Sequence, residues 1–359
     1  MSQLLKHIRE DLRKNFKPYS SAGSESGRDS KMIYLNANEN PYPFKGLEGL
    51  ERYDVQQPPA LIAAMEEKFG AKAGQLVATR GSDESIDLLI RMFVTAGQDS
   101  ILICPPAFLM YQVYAGFQGG HVHRAPLVEK DGTLHHDKET ILRMAKNPEN
   151  KIKLVFLCNP HAPSGVLFPR EELEEIVKEL QGICGVVMDE AYIDFTSQDS
   201  FAKDLEKYPH VLVLRTMSKS MALAGERLGA TLNGDPEFIT FMKGCLAPYP
   251  VPKSVSLNAQ EALRQSKTVN TDAISIMCAE RQRVYEAFIK SDDVAHVYPS
   301  VTNFLQVKFI SLEKAKDFDT RVRAQNIIIR DISAHPDTFD CLRISVGSPE
   351  QNEKLIALI

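Results

Sequence analysis

The sequence predicts an α/β protein with two parts: a large domain on a mainly parallel sheet between helices, and a smaller α+β domain after it. Two observations carry this. From about residue 77, short apolar runs alternate with helical stretches: VATRG leads into SDESIDLLIRMFV, DSILICP into AFLMYQVYAGF, and KIKLVFLCNP into a helix over 170–180. Such alternation fits a parallel sheet covered by helices on both faces. After about residue 250 the texture changes. A mostly helical region spans about 256–290, and three short strand-like runs follow, VTNFLQVKF, NIIIRDIS and CLRISVG.

In chain order, the charged N-terminus places Leu4, Leu5, Ile8 and Leu12 at helical spacing, which predicts one amphipathic helix. It has no long apolar run, so it reads as neither a secretory signal nor a membrane span, and a cytoplasmic location is expected. Residues 20–31, SSAGSESGRDSK, read as a loop or mobile stretch, and LNANENPYPF at 35–44 breaks regular structure with Asn and Pro. Leu61, Ile62, Met65 and Phe69 then share one helix face, and Gly70 is the expected stop. GGHVHRAPL, GICGVVMDEAY, HVLVLRTMSK and RLGATLNGD complete the strand-like runs of the large domain. The expected division is an N-terminal segment over 1–45, a large domain over 46–255 and a small domain over 256–359.

The 359-residue chain is 43% hydrophobic and 25% charged, enough apolar mass for a sizeable core. Its net charge of -5 does not favour a nucleic-acid partner. The six cysteines, at 104, 158, 184, 245, 278 and 341, form no CxxC pair and no zinc spacing, so no metal site is expected and they read as reduced thiols.

Ligands of open α/β sheets bind beyond the carboxyl ends of the strands. Four polar clusters fall at such places: Arg80-Gly81-Ser82-Asp83, Cys158-Asn159-Pro160, Asp189-Glu190-Ala191-Tyr192 and Thr216-Met217-Ser218-Lys219. Lys219 follows a strand and is flanked by the hydroxyls of Thr216 and Ser218, with Arg227 eight residues on. That group can bind a phosphate, and the N–H groups of a helix opening at Gly81-Ser82-Asp83 could cradle the same phosphate. An amine beside a phosphate site is what an aldehyde cofactor requires, and such a lysine can form a Schiff base with pyridoxal phosphate. Asp189 would supply the anion that keeps the cofactor's ring nitrogen protonated, and Tyr192 and Asn159 can hydrogen-bond the ring's phenolic oxygen.

These segments resemble those of fold-type-I pyridoxal-phosphate transferases. TMSKSMALAGERLG is similar to their cofactor-lysine segment, CNPHAPSG to their CNPNNPTG loop, MDEAYIDF to their DEAY segment and LRISVG to their C-terminal arginine strand. Within that family LNANENPYP, TRGSDESIDLLIRMF, RISVG and KPYSSA resemble the histidinol-phosphate aminotransferases. The resemblance implies a large cofactor-binding domain, and a small substrate domain that the N-terminal segment joins at the active-site entrance. It also implies a homodimer with active sites at the subunit interface, where Tyr53 would reach the neighbouring cofactor phosphate. The implied catalytic residues are Lys219, Asp189 and Tyr192. The implied activity moves an amino group from L-histidinol phosphate to 2-oxoglutarate, in histidine biosynthesis. Arg330 and Arg343 would hold the donor's phosphate with help from Tyr19, Arg343 would hold the carboxylate of glutamate or 2-oxoglutarate, and Asn38 would line the entrance.

The chain also departs from the family pattern. Pro105-Pro106 are followed by Ala107-Phe108-Leu109 where the family has Thr-Tyr-Gly, so Phe108 would stack on the cofactor ring without a hydroxyl. His161 and Ala162 replace the loop asparagines, and His161 reads as a solvated loop histidine. Ser21-Ala22-Gly23 replaces Ser-Ala-Arg, and Asp54 follows Tyr53 where proline is usual. These departures leave open an aromatic or broad-specificity aminotransferase and an amino-acid-phosphate decarboxylase. A regulatory module on the same fold is the reading of a different class.

Overall fold

The computed structural model describes residues 2–18, 33–266 and 270–359. The expectation for 20–31 lies outside these residues. Within them, one sheet is built from β1 (Leu76–Thr79), β2 (Ser100–Ile103), β3 (His121–Arg124), β6 (Ile152–Cys158), β7 (Gly185–Asp189), β8 (Val211–Thr216) and β9 (Gly229–Leu232), in the order β1-β9-β8-β7-β6-β2-β3. Every pairing is parallel except those of β9, which runs antiparallel to β1 and β8. The sheet is therefore mainly parallel, as its βα alternation predicts.

Side chains alternate across the central strands, as a pleat requires. Val155, Leu157, Val186, Met188 and Val213 pack on one face with Phe168 and Ile176. Leu154, Phe156, Val187, Leu212 and Leu214 pack on the other with Ile86, Phe93 and Tyr111. Both faces are apolar because both are covered. The helix Pro59–Phe69 buries Leu61, Met65 and Phe69 and stops at Gly70, whose φ of 73° is left-handed.

The N-terminus corrects the expectation of one helix. A 3-10 turn at Leu4–Lys6 and a helix at Glu10–Asn15 are separated at Arg9. The Arg9 N–H donates to Met92 O at 3.0 Å and its guanidinium to Arg91 O at 3.0 Å. Arg9 thus satisfies carbonyls left open at the end of the helix Gly81–Phe93, a position that also favours a cation. Leu4 and Ile8 are buried against the sheet, while Leu5 and Leu12 are only partly covered.

A short hairpin, β4 (Val128–Lys130) and β5 (Thr133–His135), turns at Asp131-Gly132, both at positive φ. The Asp-Gly pair is a hairpin signal the alternation reading passed over. The second sheet is antiparallel, ordered β10-β11-β13-β12 from β10 (Val294–Val297), β11 (Phe304–Phe309), β12 (Arg330–Asp331) and β13 (Cys341–Ser345). It has its own core, with Val284, Phe288, Leu305, Val307, Phe318 and Leu342. Only Arg330–Asp331 of the NIIIRDIS run is strand, and Ile328 before it is exposed. β10 was not foreseen, because VAHV is too short to show alternation.

The burial pattern makes the N-terminal anchor testable. Leu4→Ala should lower unfolding free energy by about 2–5 kcal/mol, as for a filled core leucine. Leu257→Ala, at 56% exposure, should change it by less than about 0.5 kcal/mol. Urea unfolding of both variants checks the contrast.

Candidate active site

The site forms where β6, β7 and β8 end. Asp189 is the last residue of β7 and lies level with Cys158 of β6 and Leu214 of β8. The ladder runs one step further, with Asn159 N–H donating to Asp189 O at 2.9 Å and Glu190 N–H to Leu214 O at 3.0 Å. Asp189 is buried. Its Oδ2 accepts the Tyr111 hydroxyl at 2.6 Å and its Oδ1 the Ala191 N–H at 3.1 Å. Burial pushes its carboxyl above the ordinary carboxylate value, opposed by these two donors and by the charge of Lys219.

Tyr111 is the residue the sequence reading missed. It is fully buried, stacks on Phe156 with centroids 4.6 Å apart, and meets Phe108 edge-on at 5.7 Å. Burial pushes its phenol well up, so it stands as a hydrogen-bond donor to Asp189.

Lys219 lies half-buried in the turn after β8, with Nζ 5.4 Å from the centre of the Tyr192 ring. The turn is pinned from beneath. Ser220 Oγ donates to Asp194 Oδ2 at 2.6 Å, and Arg215 bonds the other oxygen of Asp194. Arg215 also lies over the Phe69 ring at 4.6 Å and 4.0 Å from the buried Glu190. Burial lowers the Lys219 pKa, and the charges of Arg343 and Arg227 lower it further, while Asp189 and Asp83 oppose. The neutral amine is favoured relative to a free lysine. Tyr192 is buried edge-on to Phe304 at 5.0 Å, and burial raises its phenol.

Beside Lys219 is a cup suited to an anion. No side chain caps the helix Gly81–Phe93, so its first N–H groups are open. The Arg227 guanidinium lies 3.2 Å from Asp83 Oδ2 and 3.4 Å from Ser218 Oγ. A Cβ on Gly81 would come within 2.8 Å of that guanidinium, and one on Gly229 within 2.6 Å of the Ser82 nitrogen. Both glycines therefore hold the cup's shape, and Gly81 also takes a φ of 74°. The Thr216 hydroxyl is engaged internally: it accepts the Ser218 N–H at 3.2 Å and faces Leu228 O at 3.5 Å.

Arg330 and Arg343 are cross-strand partners in the small sheet. Directly opposed residues on an antiparallel pair point to one face, and like charges there are destabilising. Among the described residues no carboxylate pairs with either guanidinium; Asp331 is taken by Lys316 at 2.5 Å. The two arginines line a cleft of about 420 Å³ with Pro106, Phe108, Ala162 and Ile332. Neither that cleft nor a wider groove of about 1010 Å³ along the outer edge of β12 is lined by Lys219 or Asp189.

Asn159 is buried and its Oδ1 accepts the Phe168 N–H at 2.9 Å, so its Nδ2 is the donor left over. Tyr53 is half-exposed and stacks on Tyr249 at 4.2 Å, its N–H on Glu39 at 2.7 Å. Asn38 is exposed at a φ of 55° in the same N-terminal arm and is not among the cleft residues. Tyr19 lies outside the described residues. His161 corrects its reading as a solvated histidine: it is 2% exposed and bonded through both ring nitrogens. The second loop of prolines and small residues packs against it, which loop composition alone does not reveal.

The charges around Lys219 give a test on the cofactor-free protein. Competitive acylation of Lys219 across pH should report a midpoint below that of a free lysine. Arg343→Ala removes a charge that depresses the pKa, so the midpoint should move to higher pH; Asp189→Asn should move it lower. An unchanged midpoint in both variants contradicts the described electrostatics.

Comparison with known proteins shows the fold and the kinship. The profile of the family described as aminotransferase class I and II matches residues 32–359. The chain is 39% identical over 355 residues to a histidinol-phosphate aminotransferase of Xylella fastidiosa, covering 98% of this chain and 95% of that one. It is 37% identical over 362 residues to a histidinol-phosphate aminotransferase of Stenotrophomonas maltophilia, covering 100% and 97%. The crystal structure of the histidinol-phosphate aminotransferase from Clostridium acetobutylicum superposes with a TM-score of 0.73 at 23% identity, covering 83% of this chain and 86% of that one. That from Sinorhizobium meliloti, in complex with pyridoxal 5'-phosphate, gives 0.73 at 24%, covering 85% and 81%. The two structures establish the fold, fold-type-I α/β. The full-length identities establish the kinship: the chain belongs to the class I and II aminotransferase family, in its histidinol-phosphate aminotransferase branch.

Proposed function

We propose that the chain is a pyridoxal-phosphate-dependent aminotransferase that converts L-histidinol phosphate and 2-oxoglutarate to imidazole acetol phosphate and L-glutamate, in L-histidine biosynthesis. The observation that carries this is Lys219, its pKa lowered by burial and by the charge of Arg343, beside the buried Asp189, with Arg343 opposed by Arg330 and neither guanidinium paired with a carboxylate among the described residues. The residues fit the cofactor. A glycine-shaped cup suits its phosphate, and a buried carboxylate with no cation in contact among the described residues suits a protonated ring nitrogen.

When bound, pyridoxal phosphate supplies an aldehyde carbon that exchanges amines and a cationic ring that takes up electrons from the reacting carbon. The chain supplies the rest. Lys219 is the exchanging amine and the base, and its depressed pKa lets Nζ remove and return the substrate's α proton. Asp189, fixed by Tyr111 and the Ala191 N–H, holds positive charge at the ring nitrogen. Ser218, Arg227 and the N–H groups of Gly81, Ser82 and Asp83 would hold the phosphate. Asn159 Nδ2 and Tyr192 would donate to the phenolic oxygen, and Phe108 would pack on the ring. Arg330 and Arg343 bind the donor's phosphate dianion, which relieves their mutual repulsion. Arg343 takes the carboxylate in the second half-reaction.

The active protein is proposed to be a cytoplasmic homodimer. No helix among the described residues is long and apolar enough to cross a membrane. Ile33, Leu35, Tyr42 and Phe44 expose large apolar side chains along the N-terminal arm, a surface that a second copy would cover. Tyr53, at the end of that arm, would reach the partner's cofactor phosphate.

Two variants test the reading. Borohydride reduction and peptide mapping of the cofactor-loaded protein should mark Lys219, and Lys219→Ala should lower turnover by roughly 10²–10⁴-fold or more. Arg330→Ala should lower kcat/KM for L-histidinol phosphate by roughly 10–100-fold, the loss of a charged hydrogen bond, and leave the glutamate half-reaction nearly intact. Modification of a different lysine rejects the first assignment. Equal losses in both half-reactions, or a preference for phenylalanine, reject the substrate.

A further inference from the structure

We propose that His161 is a positioning residue that fixes the Pro106–Phe108 segment, and thereby sets where the Phe108 ring stands against the bound cofactor. This rests on the cofactor reading above.

The segment needs such a tie. Pro105 and Pro106 have no backbone N–H, so these two residues can make backbone hydrogen bonds only through their carbonyls. Pro105 O accepts the Leu127 N–H at 2.7 Å. Pro106 O accepts from His161 Nε2 at 2.7 Å. A carbonyl only accepts, so Nε2 carries the proton. In the neutral ring Nδ1 is then an acceptor, and Ser164 Oγ, 2.6 Å away, donates to it. Ser164 Oγ in turn accepts the Val166 N–H at 3.2 Å, so one tautomer satisfies every partner. Burial pushes the His161 pKa down to about 3, which keeps the ring neutral at working pH.

The ring is also held rigidly. His161 N–H donates to Val166 O at 2.8 Å, and the ring packs edge-on to Phe168 at 5.7 Å. Phe168 N–H is bonded to Asn159, so His161 links the Asn159 loop to the Phe108 loop. Both loops wall the cleft, through Ala162 and Pro163 on one side and Pro106, Ala107 and Phe108 on the other. Phe108 then touches Tyr111, the donor to Asp189.

Two substitutions separate the two ring nitrogens. His161→Asn places a carbonyl near Nδ1, able to accept from Ser164, and is too short to reach Pro106 O. His161→Gln places an N–H near Nε2 and gives up the acceptor for Ser164. Three readouts apply: absorbance titration of the cofactor-free protein with pyridoxal phosphate, visible circular dichroism of the bound cofactor, and melting of the cofactor-free protein. H161Q should bind with wild-type affinity and dichroism. H161N should bind roughly tenfold more weakly, as for one lost buried hydrogen bond, with altered dichroism and a melting temperature no lower than that of H161Q, which also loses one buried bond. Wild-type behaviour of both variants overturns the proposal, and so do losses in both that follow a lowered melting temperature. If H161N does not fold, His161→Leu, which loses both ring bonds, is compared with Ser164→Ala, which keeps the bond to Pro106 O. Roughly tenfold weaker binding in H161L with wild-type binding in S164A supports the proposal, and equal binding in the two overturns it. Absence of saturable binding by the wild type overturns the cofactor reading itself.

Discussion

The structure depends on a carboxylate kept where water does not reach. Asp189 closes β7, a strand whose residues are all buried between two neighbours of the same direction. An interior charge is costly unless donors and an opposite charge meet it. Tyr111 and the Ala191 N–H supply donors, and burial still pushes the carboxyl up. The shortfall is what a protonated ring nitrogen would make good. The parallel register sets the rest around that point, with Asn159 one residue beyond β6 on one side and Lys219 in the turn beyond β8 on the other.

A second tension lies in the small sheet. Register puts Arg343 opposite Arg330, and Arg343 also depresses the pKa of Lys219. One guanidinium thus serves two purposes in the proposed mechanism: binding the substrate's anionic end and favouring the base's neutral form. An anion between the arginines would offset their repulsion and, at the same time, weaken the field that lowers the lysine's pKa. The buried network of Arg215, Asp194, Glu190 and Ser220 holds the lysine's turn from below while these charges change.

Much of this was legible in the sequence because chemistry and topology share the same short segments. Strand-end clusters announced Lys219, Asp189 and Asn159, and the alternation of apolar runs with helices announced the sheet. What stayed hidden depends on contacts between distant segments. Tyr111 reads as one more aromatic in AFLMYQVYAGF, and only packing against Phe156 aims its hydroxyl at Asp189. His161 sits in a polar, proline-rich loop, and its burial follows from the opposing Pro106 loop. The facing of Arg330 and Arg343 is a fact of register, which two residues of strand in NIIIRDIS do not declare. The N-terminal helix broke because Arg9 answers the open end of a helix some eighty residues away.

In the proposed mechanism everything turns on Asp189 holding a proton on the cofactor's ring nitrogen. The most direct measurement is the ¹⁵N shift of ring-labelled pyridoxal phosphate bound to wild type and to Asp189→Asn. The expected result is a protonated nitrogen in the wild type, a deprotonated one in the variant, and turnover lost while binding remains. A protonated nitrogen in both, with near-normal turnover in Asp189→Asn, would contradict it.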